Sequence, residues 1–118
     1  MAGALKKTTG LTGLAVLKFP HRELDITYEK LLRLLAAMPK DSAYRRYTEK
    51  LVKERQDIVK QNPTVEAVEE KIGCGQVEEL LIQAKNETIL AKDMLKWKPW
   101  ENLMEEPPAH QWTWPPHK

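Results

Sequence analysis

The chain has 118 residues, of which 42% are hydrophobic and 31% charged, with one cysteine and a net charge of +2. A chain of this length forms one domain that buries roughly two-thirds of its unfolded surface, so a core is reachable without disulfides. Cys74 alone excludes an internal disulfide framework and a multi-cysteine zinc site, and no apolar run approaches the ~18 residues of a membrane span. The charge is unevenly placed. Residues 1–22 carry Lys6, Lys7, Lys18 and Arg22 and no acid, whereas residues 23–100 balance 14 bases with 14 acids. That balance gives no basic stripe of the kind that binds nucleic acid.

Residues 1–20 form a basic arm that mixes hydroxyl, glycine and apolar residues: Thr8, Thr9 and Thr12 among Leu5, Leu11, Leu14 and Leu17. Such a composition reads as import-like, in the manner of a mitochondrial presequence, or as a plain N-terminal arm. Residues 21–97 read as a helical bundle. Leu24, Tyr28, Leu31, Leu35 and Met38 recur every three or four positions and share one helix face. Pro39 ends this helix, because the residue before a proline avoids the α region. Ser42 caps a second helix. Its face is read as Tyr44, Tyr47, Leu51 and Ile58, flanked by Val52 and Val59. Arg55 falls in that stripe, so its stem is buried while its head escapes or finds an acid. A short helix follows, with Asn62 as its cap, Pro63 in its first turn, and Val65, Val68 and Ile72 on one side. Gly73-Cys74-Gly75 breaks the chain again.

The third long helix starts near Gln76, with Val77, Leu81, Ala84, Thr88, Ala91 and Leu95 along its seam. Ile82, Ile89 and Leu90 lie outside that seam and form a second patch, covered either by the chain's own tail or by another protein. The fold expected is therefore all-α: three long antiparallel helices in an up-down-up bundle, with a short helix between the second and third. Residues 98–118 differ in kind. They hold five of the eight prolines and three of the four tryptophans, Trp100, Trp112 and Trp114, with Trp97 just before. Proline denies this segment a helix, and a disordered tail is normally poor in aromatics. An extended tail that lies across a surface is expected, on its own helices or on a partner.

Chemistry is sparse. His21, His110 and His117 pair with no second ligand at metal-binding spacing, and Cys74 has no base nearby in sequence. No phosphate-cradling glycine motif occurs. Glu78 and Glu79, in the first turn of the third helix, serve its dipole. Tyr44-Arg45-Arg46-Tyr47, with its tyrosines toward the core, is either an amphipathic first turn or an anchor for a partner's carboxylate. No catalytic, cofactor or metal site is expected. The candidate partner-interface residues are Tyr44, Arg45, Arg46, Tyr47, Trp97, Trp100, Trp112 and Trp114.

Several stretches together carry a likeness. They are Lys6-Lys-Thr-Thr-Gly-Leu-Thr-Gly-Leu-Ala-Val16, Tyr28 followed by Lys30, and Pro39 ahead of Ala43-Tyr-Arg-Arg-Tyr-Thr-Glu49. Gly75-Gln-Val-Glu-Glu79 and Gln83-Ala84 follow, then Trp97-Lys-Pro-Trp-Glu101, Glu106-Pro-Pro108 and Gln111-Trp-Thr-Trp-Pro115. Over nearly its whole length the chain resembles the family of alpha subcomplex subunit 5 of mitochondrial NADH:ubiquinone oxidoreductase, respiratory complex I. It departs at Asn102, where the family pattern has proline, and runs on as Pro116-His117-Lys118. The resemblance implies an accessory subunit without redox centre or catalytic residue. It implies a place in the matrix-side peripheral arm at the mitochondrial inner membrane, near the quinone-reducing module. It further implies an N-terminus retained rather than cleaved, and a tail packed on neighbours, notably the core iron–sulfur protein 3 subunit, within a hetero-oligomer. The competing reading of the residues is a free-standing helical adaptor.

Overall fold

The computed structural model describes residues 6–115; the first five residues of the arm and the final Pro116-His117-Lys118 lie outside them. Four helices and no strand occur among the described residues: α1 (Pro20–Ala36), α2 (Ala43–Gln61), α3 (Val65–Ile72) and α4 (Val77–Trp97). The all-α bundle with a short third helix is as the periodicity predicts.

Helix α1 is the centre, packed on both α2 and α4. All five apolar positions read from its spacing are buried: Leu24, Tyr28, Leu31, Leu35 and Met38. Pro20 opens the helix at its first turn, where the missing N–H costs nothing. Helix α2 returns antiparallel to α1: its Gln56 donates to Asp25 at 3.1 Å, and its Arg45 donates to the Met38 carbonyl at 2.6 Å. Helix α4 runs in the same direction as α1, since Leu17 N–H, just before α1, reaches Glu78 in the first turn of α4. Up-down-up order thus makes α1 and α4 parallel neighbours, with α2 running against both.

Two local expectations need correction. The buried face of α2 is Val52, Gln56 and Val59, with Tyr44 and Ile58 half-buried, whereas Tyr47 and Leu51 are exposed, Tyr47 to 72%. The apolar residues of α2 span more than one face, and α1 takes the Val52–Val59 side. Tyr47 therefore does not face the core. The cap of α3 is Thr64, whose side chain accepts from Ala67 N–H, while Asn62 closes α2 instead. Its amide donates to the Ile58 carbonyl at 2.8 Å, so one asparagine ends a helix rather than starting the next.

The other boundaries follow their residues. Ser42 caps α2 by accepting from Arg45 N–H. Gly73 ends α3 in the left-handed region, at φ 70°, which glycine adopts without a Cβ penalty. Gln76 and Glu79 form a reciprocal capping box at the start of α4. Its seam of Val77, Leu81, Ala84, Thr88 and Ala91 is buried as read, Leu95 at its far end is only half-buried, and Leu80 joins it.

The N-terminal arm is pinned rather than loose. Thr9 Oγ1 donates to the Leu14 carbonyl at 2.6 Å, and Gln76 Nε2 donates to the Thr9 carbonyl at 2.7 Å. Lys6 Nζ donates to Glu69 on α3 at 3.0 Å and to Gln76 and Glu78 at 3.0 and 2.9 Å. The Glu78 side chain is 1% exposed. Burial alone would raise its carboxyl, but hydrogen bonds from Lys6 and from the backbone outweigh this and hold it below the ordinary carboxylate range. Burial would likewise lower the Lys6 ammonium, yet the two glutamates hold it above its ordinary value. Glu69 also accepts from Val77 N–H at 3.0 Å, so this latch satisfies an orphan donor at the start of α4.

Candidate functional site

Among the described residues no three histidine, cysteine, aspartate or glutamate side chains converge as a metal site would require, and no helix is long and apolar enough to cross a membrane. The surface to consider is what the bundle leaves uncovered.

At the start of α2 the four-residue Tyr44–Tyr47 motif divides into two halves. Tyr44 and Arg45 are tied inward. The Tyr44 hydroxyl donates to the Glu87 carboxylate on α4, and burial together with that carboxylate pushes the phenol well above its ordinary range. Arg45 clamps the loop between α1 and α2, donating to the Met38 carbonyl and, at 3.0 Å, to Glu49. Lys53 donates to the other oxygen of Glu49 at 2.7 Å, and hydrogen bonds from Lys53 and Arg45 hold that carboxyl below its usual value. Arg46 and Tyr47 face outward. The Arg46 guanidinium lies 5.9 Å from the Tyr47 ring centroid, near the limit of cation–π contact. The displayed half of the motif is thus a cation beside an aromatic ring.

On the outside of α4, Ile82 and Ile89 are exposed, as is Trp97 at the end of the helix. Ile82 and Ile89 of the expected second patch are thus bare of the described part of the tail, whereas Leu90 is half-buried and turns toward α2. The tail itself begins with Lys98 in the left-handed region and Pro99, which stops α4 and redirects the chain. Trp100 then folds back against the core. Leu103, Met104, Trp112 and Trp114 are all exposed, the last two to 88% and 85%. The backbone at 108–113 is turned rather than β-like: Gln111 N–H donates to the Pro108 carbonyl and Thr113 N–H to the His110 carbonyl. The tail contributes to a long molecule, 66 Å by 32 Å by 22 Å.

Of the eight candidate residues, Tyr44, Arg45 and Trp100 hold the chain together, and Arg46, Tyr47, Trp97, Trp112 and Trp114 are offered to solvent. Bare indoles of this number are costly in water unless a neighbour covers them. Sequence reasoning missed the Lys6–Glu69–Glu78 latch, because its partners lie more than sixty residues apart and no local period links them.

A helical chain that spends its best apolar side chains outside its core is an interaction subunit. Its relatives agree. A family model described as the ETC complex I subunit conserved region matches residues 13–79. The chain is 55% identical over 115 residues to NADH dehydrogenase (ubiquinone) 1 alpha subcomplex subunit 5 of Bos taurus, covering 98% of this chain and 99% of that protein. It is 46% identical to the protein of Caenorhabditis elegans named as the probable form of the same subunit, over 93% of this chain and 73% of that protein. A protein of Arabidopsis thaliana, named as a probable mitochondrial form, is 38% identical over 81% of this chain and 57% of its own length. The chain belongs to this family of accessory, non-catalytic subunits of respiratory complex I. The full-length relatives extend the match through the rest of α4 and the tail, beyond residue 79 where the family model ends.

Proposed function

We propose that this chain supports the assembly and stability of the matrix-side peripheral arm of complex I, near the quinone-reducing module, in electron transport from NADH to ubiquinone. In this reading it sits peripherally at the mitochondrial inner membrane, with the core iron–sulfur protein 3 subunit as its principal neighbour. The bundle is the rigid body, the tail is the grip, and residues 1–20 serve in import, of which residues 6–20 then pack as part of the folded body. The observation that carries the reading is the display of Leu103, Met104, Trp112 and Trp114 on a tail that its own bundle does not cover.

Tryptophan is a leading interface residue, worth about 2 kcal/mol or more when buried against a partner. Replacing both Trp112 and Trp114 by alanine therefore weakens association by roughly a thousandfold. The test expresses the double variant in cells lacking the wild-type chain and resolves solubilised mitochondria on blue-native gels. Assembled complex I should fall while the free chain keeps its thermal midpoint. Trp100→Ala is the contrast, since it lowers that midpoint through lost packing on the core. Normal complex I with the Trp112 and Trp114 variant would overturn the tail's role. Elution of the wild-type chain as a monomer from gently solubilised mitochondria would replace the whole reading with that of a free-standing adaptor.

A further inference from the structure

Helices α2 and α4 both lean on α1 and leave a groove of about 410 Å³ between them, floored by Tyr28 and Leu31. Its walls include Leu51, Val52, Ala84 and Leu90. Leu51 is about half exposed, so the apolar wall opens to solvent. Glu87 also lines the groove, but its carboxylate already accepts from the Tyr44 hydroxyl. The polar groups toward the Arg55 side are differently placed.

Arg55 is half-buried and has no carboxylate among the described residues. Its guanidinium donates to Gln83 Oε1 at 3.0 Å and to Cys74 Sγ at 3.4 Å, two neutral acceptors. Guanidinium is suited to bidentate pairing with a carboxylate, and neutral acceptors leave that capacity unused. Beside it is the buried Tyr28, whose hydroxyl donates to no acceptor among the described residues. Burial pushes this phenol above its ordinary range, and the Arg55 guanidinium, through its charge and its approach to the phenol oxygen, only partly offsets that. A buried hydroxyl whose proton meets no acceptor is rare in a finished protein. Here an unused cation and an unused donor meet at one groove with apolar walls.

We propose that this groove receives a segment of a neighbouring complex I subunit, apolar apart from one aspartate or glutamate whose carboxylate pairs with Arg55 and accepts from the Tyr28 hydroxyl. The inference rests on the chain's being an accessory subunit, and adds a second grip distinct from the tail. The carboxylate supplies the charge Arg55 lacks and the acceptor Tyr28 lacks, and the leucines of the groove cover the apolar flanks of the segment. Glu87 sets polarity, because an acid entering at its end of the groove would meet a like charge.

Tyr28→Phe separates this proposal from a purely structural role. In the free full-length chain it deletes a buried hydroxyl that donates to nothing, so the thermal midpoint is unchanged or higher. In purified complex I it removes a hydrogen bond to a charged group, so the chain is released on salt challenge about tenfold faster. Arg55→Gln speeds that release about thirtyfold or more, and Arg55→Lys only partly restores retention, because the planar fork is lost. Photo-crosslinking from p-benzoylphenylalanine at position 51, within purified complex I, captures one peptide of a neighbouring subunit that carries an acidic residue. Reversing that acid to arginine together with Arg55→Glu restores retention. The proposal is overturned if Tyr28→Phe and Arg55→Gln are released at the wild-type rate, if Tyr28→Phe instead lowers the midpoint of the free chain, or if the captured peptide has no acid. Those failures, with the Trp112 and Trp114 variant still assembling poorly, would remove the groove and leave the accessory-subunit reading standing. Retention lost only when a free dicarboxylate such as succinate is withdrawn would assign the groove to a small anion and also overturn the proposal.

Discussion

Lys6→Met is the most informative single perturbation of the bundle. Methionine keeps most of the volume of the side chain and removes the ammonium that joins Glu69, Gln76 and Glu78. Breaking a buried ion pair from one side costs about 3–5 kcal/mol, because the remaining charge stays desolvated. The Lys6 side chain is 28% exposed, so water entering there rehydrates part of Glu78 and lowers the expected cost to about 2 kcal/mol. For a domain of this size that is a fall of roughly 8–15 °C in thermal midpoint, read by circular dichroism. Glu78→Gln should cost less, since the amide keeps acceptor capacity and carries no charge. The double variant should recover part of the sum, with a coupling of about 1–2 kcal/mol. The sign with pH follows from the two shifts. The Glu78 carboxyl is held below 4.5, so its contribution is complete above that pH and is lost as pH falls through its lowered folded value. Lys6 is held above 10.5, so its share is complete below that pH and is lost as pH rises past its raised value. The gap between wild type and Glu78→Gln should therefore be flat near neutrality and close in acid. A Lys6→Met chain within about 0.5 kcal/mol of wild type, or a strictly additive double variant, would refute the latch.

Two smaller predictions concern helix ends. Ser42→Ala removes the cap of α2 and should cost about 1 kcal/mol in urea unfolding, with an unchanged denaturant slope. Gly73→Ala and Gly75→Ala should differ in cost. Both positions have positive φ, so each alanine pays roughly 1–2 kcal/mol for the left-handed backbone, but an added Cβ meets only the Glu70 carbonyl at 3.9 Å at position 73. At position 75 it collides with Glu79 Oε2, the acceptor for Gln76 N–H, and so disrupts the capping box as well. Equal thermal midpoints for the two variants would contradict this account of the α3–α4 turn.

The central helix was readable because its pattern is local. Leu24, Tyr28, Leu31, Leu35 and Met38 have one face to fill, and neighbours on two sides bury it. Helix α2 was harder, since it offers apolar residues on more than one face and sequence alone does not say which face α1 takes. Choosing the face with more tyrosine misplaced Tyr47, whereas Val52, Gln56 and Val59 form the contact. The cap of α3 went astray because Asn62 and Thr64 are both good caps two residues apart, and Asn62 closes the preceding helix. For Arg55 the stripe points to a buried stem whose head escapes or finds an acid; the residue is half-buried, and its head meets two neutral acceptors, Gln83 and Cys74. The candidate interface was only half readable. The residue types that favour association stood out, but whether an indole folds inward, like Trp100, or outward, like Trp112, depends on how Lys98 and Pro99 steer the backbone.

The Lys6 latch also orders events in time. A polypeptide is made from its N-terminus onward, yet the acceptors that immobilise Lys6 lie 63 to 72 positions later. The opening segment must therefore wait, unsecured, until α3 and the first turn of α4 have emerged and packed. The hairpin of α1 and α2 closes over shorter separations, so Lys6 is among the last groups to be tied down.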